Sequence, residues 1–455
     1  MSCLLLPGLL LAGLGSPALA TTSPHEPPVE QPVEEPVDPA WPTWDPPRPP
    51  DSYDPRAGVR LNDPLGSPRR RNAIRNHVNR TIDSTPGGAR IERLSWNIRD
   101  GAFVRKLIAA HKRGVSVRVL TARGNWKREN PNELMDRLAG VVAKSDRRWS
   151  NDRRPAQARS RIAKCGASCR GTRGIAHSKF FLFSHVGRSV KRPTATDVVM
   201  HGSANATTVA ADRQWNDIHT VKNRPEVHAF FSQMFAESEI DRPAPYTEAR
   251  FDRLSVGFLP WSRGVTDPAL DFLRKVECRG ATGGSGVNGR TQVRIGMTAM
   301  LDVRGLEIAK RLKRMRNDGC NIKMVYAVMG NKVRKLLRST SGRGPVPIRQ
   351  VVQDWQNDGV YDRYLHTKYV AVSGVYAGNR AAEVSMNGSM NWTFKSLHSD
   401  ESVGIVHHAG IRKKYAAAVD RLFANPPKAR FAASRTLAPR MSHIPGPDGY
   451  HGIEP

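Results

Sequence analysis

From residue 91 onward the apolar positions of the chain keep two alternating rhythms. Ile91-Glu92-Arg93-Leu94-Ser95-Trp96 reads as a strand; in Phe103 to His111, Val104, Leu107 and Ile108 fall on one helical face. Gly114 marks the helix end, and Val115 to Val119 alternates valine with polar residues, the period of a half-buried strand. The succession then returns. Thr291 to Gly296 is a strand, Ile308, Leu312 and Met315 line a helix that stops at Gly319, and Asn321 to Val328 is the next strand. A strand–helix–strand unit with a short glycine turn, given twice, predicts an α/β fold with parallel strands in two repeats.

Outside the repeat the pattern dissolves. Leu4 to Leu14 is mostly apolar and Ala18-Leu19-Ala20 has the small-x-small form of a cleavage site, so residues 1–20 are expected to be a signal peptide and the protein to be secreted. No Lys or Arg precedes Leu4, a departure from the usual leader. Residues 21–55 are proline-rich and acidic, the composition of an extended, solvated linker. Lobes are expected over 56–250 and 251–425, with a loose tail over 426–455.

Charge narrows the partners. The 455 residues carry a formal net charge of +30, which points to an anionic partner: nucleic acid, an acidic membrane surface or a phosphate-bearing substrate. Past the leader four cysteines remain, and sequence alone allows three pairings. In an exported chain Cys165–Cys169 and Cys278–Cys320 are the expected bridges. A zinc site from Cys165, Cys169, His177 and His185 is the rival reading, weakened because His177 has a better use.

That use lies in a duplicated constellation. His177-Ser178-Lys179 is followed by an apolar strand, a loop and His201-Gly202-Ser203-Ala204-Asn205; His366-Thr367-Lys368 is followed in the same way by Asn387-Gly388-Ser389-Met390-Asn391. Two residues apart on a strand, each His and Lys would share a face. A carboxylate follows each copy, Asp217 and Glu401, with Asp400 competing for the second role. Phosphodiester cleavage needs a nucleophile, a proton donor for the leaving oxygen and positive donors around phosphorus. Two histidines divide the first two tasks. Lys179, Lys368, Asn205 and Asn391 would hold the phosphoryl oxygens, Ser203 and Ser389 would add donors, and Asp217 and Glu401 would fix the histidine tautomers. Lysines that neutralise the phosphate leave no role that requires a metal or cofactor.

The paired His/Lys/Gly-Ser-x-Asn sets resemble the duplicated HKD motif of the phospholipase D superfamily, in the manner of secreted actinobacterial members, over most of residues 56–425. The resemblance implies two similar lobes, each a mixed sheet flanked by helices, with the active site at the lobe interface. It also implies a phosphohistidine intermediate, with His177 as nucleophile and His366 as general acid. In this chain Ser184 and Ser373 stand where the family motif has aspartates, a change read as structural. The activity implied is hydrolysis or transphosphatidylation of glycerophospholipids by a monomer that meets membranes peripherally. A nuclease, drawing on Arg69-Arg70-Arg71 and Arg153-Arg154, and a non-catalytic binder of anionic lipid or nucleic acid are the alternatives.

Overall fold

Each repeat builds its own sheet, and the motif strands occupy the middle of both. In the computed structural model, which describes residues 49–128, 131–148, 159–262, 264–357 and 360–428, the first sheet has seven strands. Their order is Gly58–Leu61, Asp217–Val221, Arg192–Gly202, Phe180–Ser189, Arg90–Ser95, Ser116–Ala122 and Arg161–Cys165. The second has nine, running Thr247–Phe251, Leu254–Phe258, Ser402–His407, Asn379–Gly388, Lys368–Tyr376, Gln292–Met300, Asn321–Met329 and Ile348–Gln350, with Val276–Glu277 paired to Lys368–Tyr376. Both sheets are mixed. The strand–helix–strand units are parallel, Arg90–Ser95 with Ser116–Ala122 and Gln292–Met300 with Asn321–Met329, while the motif strands pair antiparallel.

The helices follow from their sequences. Asp100 caps Gly101–Lys112 by accepting the Ala102 and Phe103 amides, and the helix buries Phe103, Val104, Leu107 and Ile108. Its counterpart Asp302–Asp318 buries Ile308, Leu312 and Met315 and ends on Gly319 at φ 105°, a left-handed conformation that costs glycine little.

One continuous core joins the sheets: Leu94, Phe180 and Val199 from the first sheet with Phe258, Ala299, Tyr369 and Val406 from the second. Helices Pro225–Ile240 and Ala409–Ala424 add to it; Phe231 meets Phe180 at 5.4 Å and Phe258 at 5.1 Å between ring centroids. Burying such rings stabilises each by about 1.5–3 kcal/mol, so this core holds the lobes in fixed register.

The expected signal peptide, the linker up to residue 48, residues 149–158 with Arg153-Arg154, and nearly all of the tail lie outside the described residues. The linker needs a correction at its end. Residues 51–54 are docked: Tyr53 donates its amide to Ser84 Oγ at 2.8 Å, and Asp51 and Asp54 pair with Arg80 and Lys222. Both expected bridges are present, Cys165–Cys169 and Cys278–Cys320. They commit the two sulfurs on which the zinc reading depended.

Candidate active site

Each H-x-K sits at the entrance to its strand rather than within it, because the strands begin only at Phe180 and Lys368. The lysines consequently curl back. Lys179 Nζ donates to the His177 carbonyl at 2.8 Å, and Lys368 Nζ to the His366 carbonyl at 2.9 Å. Both ammonium groups are buried. A buried cation is costly without compensation, so these two are placed to meet an anion. Lys179 Nζ also lies 6.0 Å from the Trp96 ring centroid, and the same indole meets His177 edge-on at 6.2 Å.

The two lobes hold each other's histidines. The His177 amide donates to the Asp400 carbonyl at 3.1 Å, and its Nδ1 lies 2.8 and 2.9 Å from the Glu401 carboxylate oxygens. Reciprocally, the His366 amide donates to the Trp215 carbonyl at 2.9 Å, and its Nδ1 lies 2.7 Å from Asn216 Oδ1. This exchange brings the two motifs into one site.

The orienting residue of the first lobe is therefore Asn216, not Asp217. The register fixes the equivalence: Ser203 N donates to the Asp217 carbonyl and Ser389 N to the Ser402 carbonyl, so Asp217 matches Ser402 and Asn216 matches Glu401. Asp217 points elsewhere, accepting from Tyr415 Oη at 2.8 Å, and burial pushes its carboxyl above the ordinary range. The serines need a second correction. Ser203 Oγ donates to Asn216 Oδ1 at 2.9 Å and accepts the Asp217 amide; Ser389 Oγ accepts the Ser402 amide at 3.0 Å and bonds Glu401. Their hydroxyls position the orienting residues rather than serve as extra phosphate donors.

Asn216 has a defined amide orientation. Its Nδ2 donates to the Ala210 carbonyl at 3.0 Å and to Gln214 Oε1 at 3.3 Å, leaving Oδ1 as the acceptor that faces His366. His366 must then carry its proton on Nδ1, and its Nε2 accepts from Lys368 Nζ at 2.9 Å. Glu401 is different in kind. Burial alone would raise its carboxyl, but the His177 ring, Lys179 and Ser389 together hold it below the ordinary range. A carboxylate on Nδ1 leaves His177 Nε2 with the lone pair and supports positive charge on the ring.

Asp400 has a structural job. The loop closed by Cys165–Cys169 wraps its carboxylate with Ser168 Oγ at 2.8 Å, Cys169 N at 2.5 Å and Arg170 N at 2.9 Å. Desolvation still raises its pKa to about 6. This grip fixes the backbone that presents Glu401. Asn205 and Asn391 lie in the loops after Gly202 and Gly388, and both are buried. Ser184 accepts the Arg90 amide at 2.9 Å; Ser373 accepts the Gly286 amide at 3.0 Å and donates to Glu383. Ser184 thus ties its strand to the start of the neighbouring Arg90–Ser95, and Ser373 ties its strand to Gly286 and to Glu383 of the neighbouring Asn379–Gly388.

Residues 80–238 and 288–423 match the family described as cardiolipin synthase, PLD-like domain. No curated relative matches. Among solved structures, the polyphosphate kinase of Porphyromonas gingivalis is 13% identical, with 80% of this chain and 50% of that one covered at a TM-score of 0.49. The chain thus spans about half the length of that kinase. Phosphatidylserine synthase of Haemophilus influenzae Rd KW20 is 11% identical over 82% of this chain and 87% of that one, TM-score 0.48. Nuc, a phospholipase D family member from Salmonella typhimurium, is 21% identical over 40% and 95%, TM-score 0.29.

Proposed function

Because the chain belongs to the phospholipase D superfamily, we propose that it is an exported phospholipase D that cleaves or exchanges the head group of glycerophospholipids. The observation that carries the chemistry is the crossed support of the histidines, His177 by Glu401 and His366 by Asn216. His177 Nε2 attacks phosphorus and forms an N–P bond while the P–O bond to the head-group alcohol breaks. Protonated His366 delivers a proton to that leaving oxygen. Neutral His366 then takes a proton from water or an acceptor alcohol, whose oxygen attacks phosphorus and frees His177. Lys179, Lys368, Asn205 and Asn391 surround the phosphoryl oxygens and offset their charge. The family's description after a phospholipid-building enzyme supports the lipid substrate, and two disulfides support export.

A nuclease is the second reading, and one observation favours it. The Trp355 ring carries the guanidinium of Arg213 at 5.0 Å and of Arg363 at 5.3 Å, on the segments leading to Asn216 and His366. Two arginines on a half-buried indole beside the motif segments suit the backbone of a single strand. The test uses phosphatidylcholine vesicles, ethanol and EDTA. Phosphatidylethanol is the expected product; its absence, with single-stranded DNA degraded in a parallel reaction, selects the nuclease.

A further inference from the structure

Among the described residues five large apolar side chains are exposed, and two of them, Val303 at 67% and Phe394 at 49%, rise beside the catalytic loop of the second lobe. Single exposed hydrophobics are ordinary, but a preorganised pair at one rim calls for an explanation. Asp302 holds them together. Its carboxylate accepts the Arg304 amide at 3.0 Å and the Phe394 amide at 2.8 Å, stapling the start of helix Asp302–Asp318 to the segment after Asn391. Asp302 itself sits at φ 56°, a conformation few non-glycine residues adopt without support.

The staple is anchored from below. Buried Arg304 donates to the carbonyls of Asn391 at 2.7 Å and Thr393 at 3.0 Å while it pairs with Asp267. The apolar rim is therefore rigidly tied to a residue of the active site. Its border is basic. Lys395 follows Phe394, and exposed Lys332 lies two residues beyond Gly330, whose amide donates to the Met300 carbonyl at 3.0 Å, two residues before Asp302. The Phe394 ring meets His398 at 4.7 Å, and the charge of Arg173 acts on that imidazole.

We infer that Val303 and Phe394 form a membrane-docking rim that inserts into the surface of a bilayer bearing anionic head groups and presents the cleft to it. Apolar side chains enter the acyl boundary while lysines and arginine meet the head-group charge, the division of labour that interfacial proteins use. The inference rests on the lipid reading above.

The test uses the full chain and sucrose-loaded vesicles of phosphatidylcholine with phosphatidylglycerol, read by sedimentation. The double variant Val303→Ser/Phe394→Ser should partition at least about tenfold more weakly, with an unchanged Tm. Phe394→Trp should keep binding and shift its emission to the blue on vesicles. Undiminished sedimentation of the double variant, no vesicle-induced shift in the tryptophan variant, or no sedimentation of the unmodified protein would each overturn the docking rim. Sedimentation without phosphatidic acid formation would instead leave the rim standing and remove the lipid-hydrolysis reading.

Discussion

Asn216 occupies in the first lobe the position that Glu401 holds in the second, so the two motif imidazoles, His366 and His177, receive an amide and a carboxylate respectively. The two supports differ in what they stabilise. A carboxylate favours the charged ring; an amide oxygen accepts the Nδ1 proton without contributing a negative charge. In the mechanism proposed above, this asymmetry gives His177 the support a phosphorylated ring needs.

Asn216→Asp should extend activity to higher pH. With a carboxylate at this position the protonated form of His366 persists further into the alkaline range, and the alkaline limb of the pH–rate profile should move up by roughly one unit or more. The variant also loses the donors to the Ala210 carbonyl and Gln214. It should therefore be less stable by about 1–3 kcal/mol. An alkaline limb that stays in place would show that His366 is not the group titrating there.

Glu401→Gln removes the charge that supports His177 and disturbs its tautomer. A fall in kcat of at least about a hundredfold is expected, with little change in KM, because the loss is felt as charge develops on the ring. Steady-state kinetics on vesicles separate the two constants; a rise in KM alone would reduce Glu401 to a binding role.

Much of this was legible in the chain. The strand–helix–strand repeat and its glycine stops followed from spacing and residue type, and the structure reproduces them within a few residues at each end; the two bridges are the pairing expected of an exported chain among the three the sequence allows. The exchange of support across the lobes was not legible. Asn216 and Asp217 are neighbours, and the loop from Ser203 to Asn216 is one residue longer than that from Ser389 to Glu401, so counting from the motif cannot choose between them. Only the pairing of Ser203 with Asp217 and of Ser389 with Ser402 decides it. The roles of Asp400 and of the serines were hidden for the same reason, since they depend on backbone groups distant in sequence.

Acid should destabilise the fold through buried histidines. His201 and His219 lie fully inside, their rings 5.5 Å apart, and burial lowers them to about 3 and about 4. In the unfolded chain both titrate near 6.5, so between that value and 3–4 the unfolded state binds more protons and stability falls as pH falls. At pH 5 each contributes a loss of about 2 kcal/mol relative to neutral pH. His201→Asn, which copies Asn387 at the matching position of the second lobe, should flatten the dependence of Tm on pH; an unaltered slope would contradict this.

The two bridges should separate stability from activity. Cys278–Cys320 spans 42 residues and Cys165–Cys169 only 4. Loop-closure entropy assigns them about 4 and about 2 kcal/mol. The short bridge, however, closes the loop that grips Asp400 beside Glu401. Replacing both cysteines of the long bridge by serine should therefore cost more in Tm, and replacing those of the short bridge more in kcat. Equal losses in both assays would argue against the grip.

The central claim is covalent catalysis by His177. Acid-free quenching of the protein during turnover of a short-chain phosphatidylcholine in EDTA, followed by peptide mass mapping, tests it most directly. A phosphatidyl adduct on the peptide containing His177, absent from His177→Ala and accumulating when water is the poor acceptor, is the predicted result. An adduct on His366, or continued turnover by His177→Ala, would contradict it.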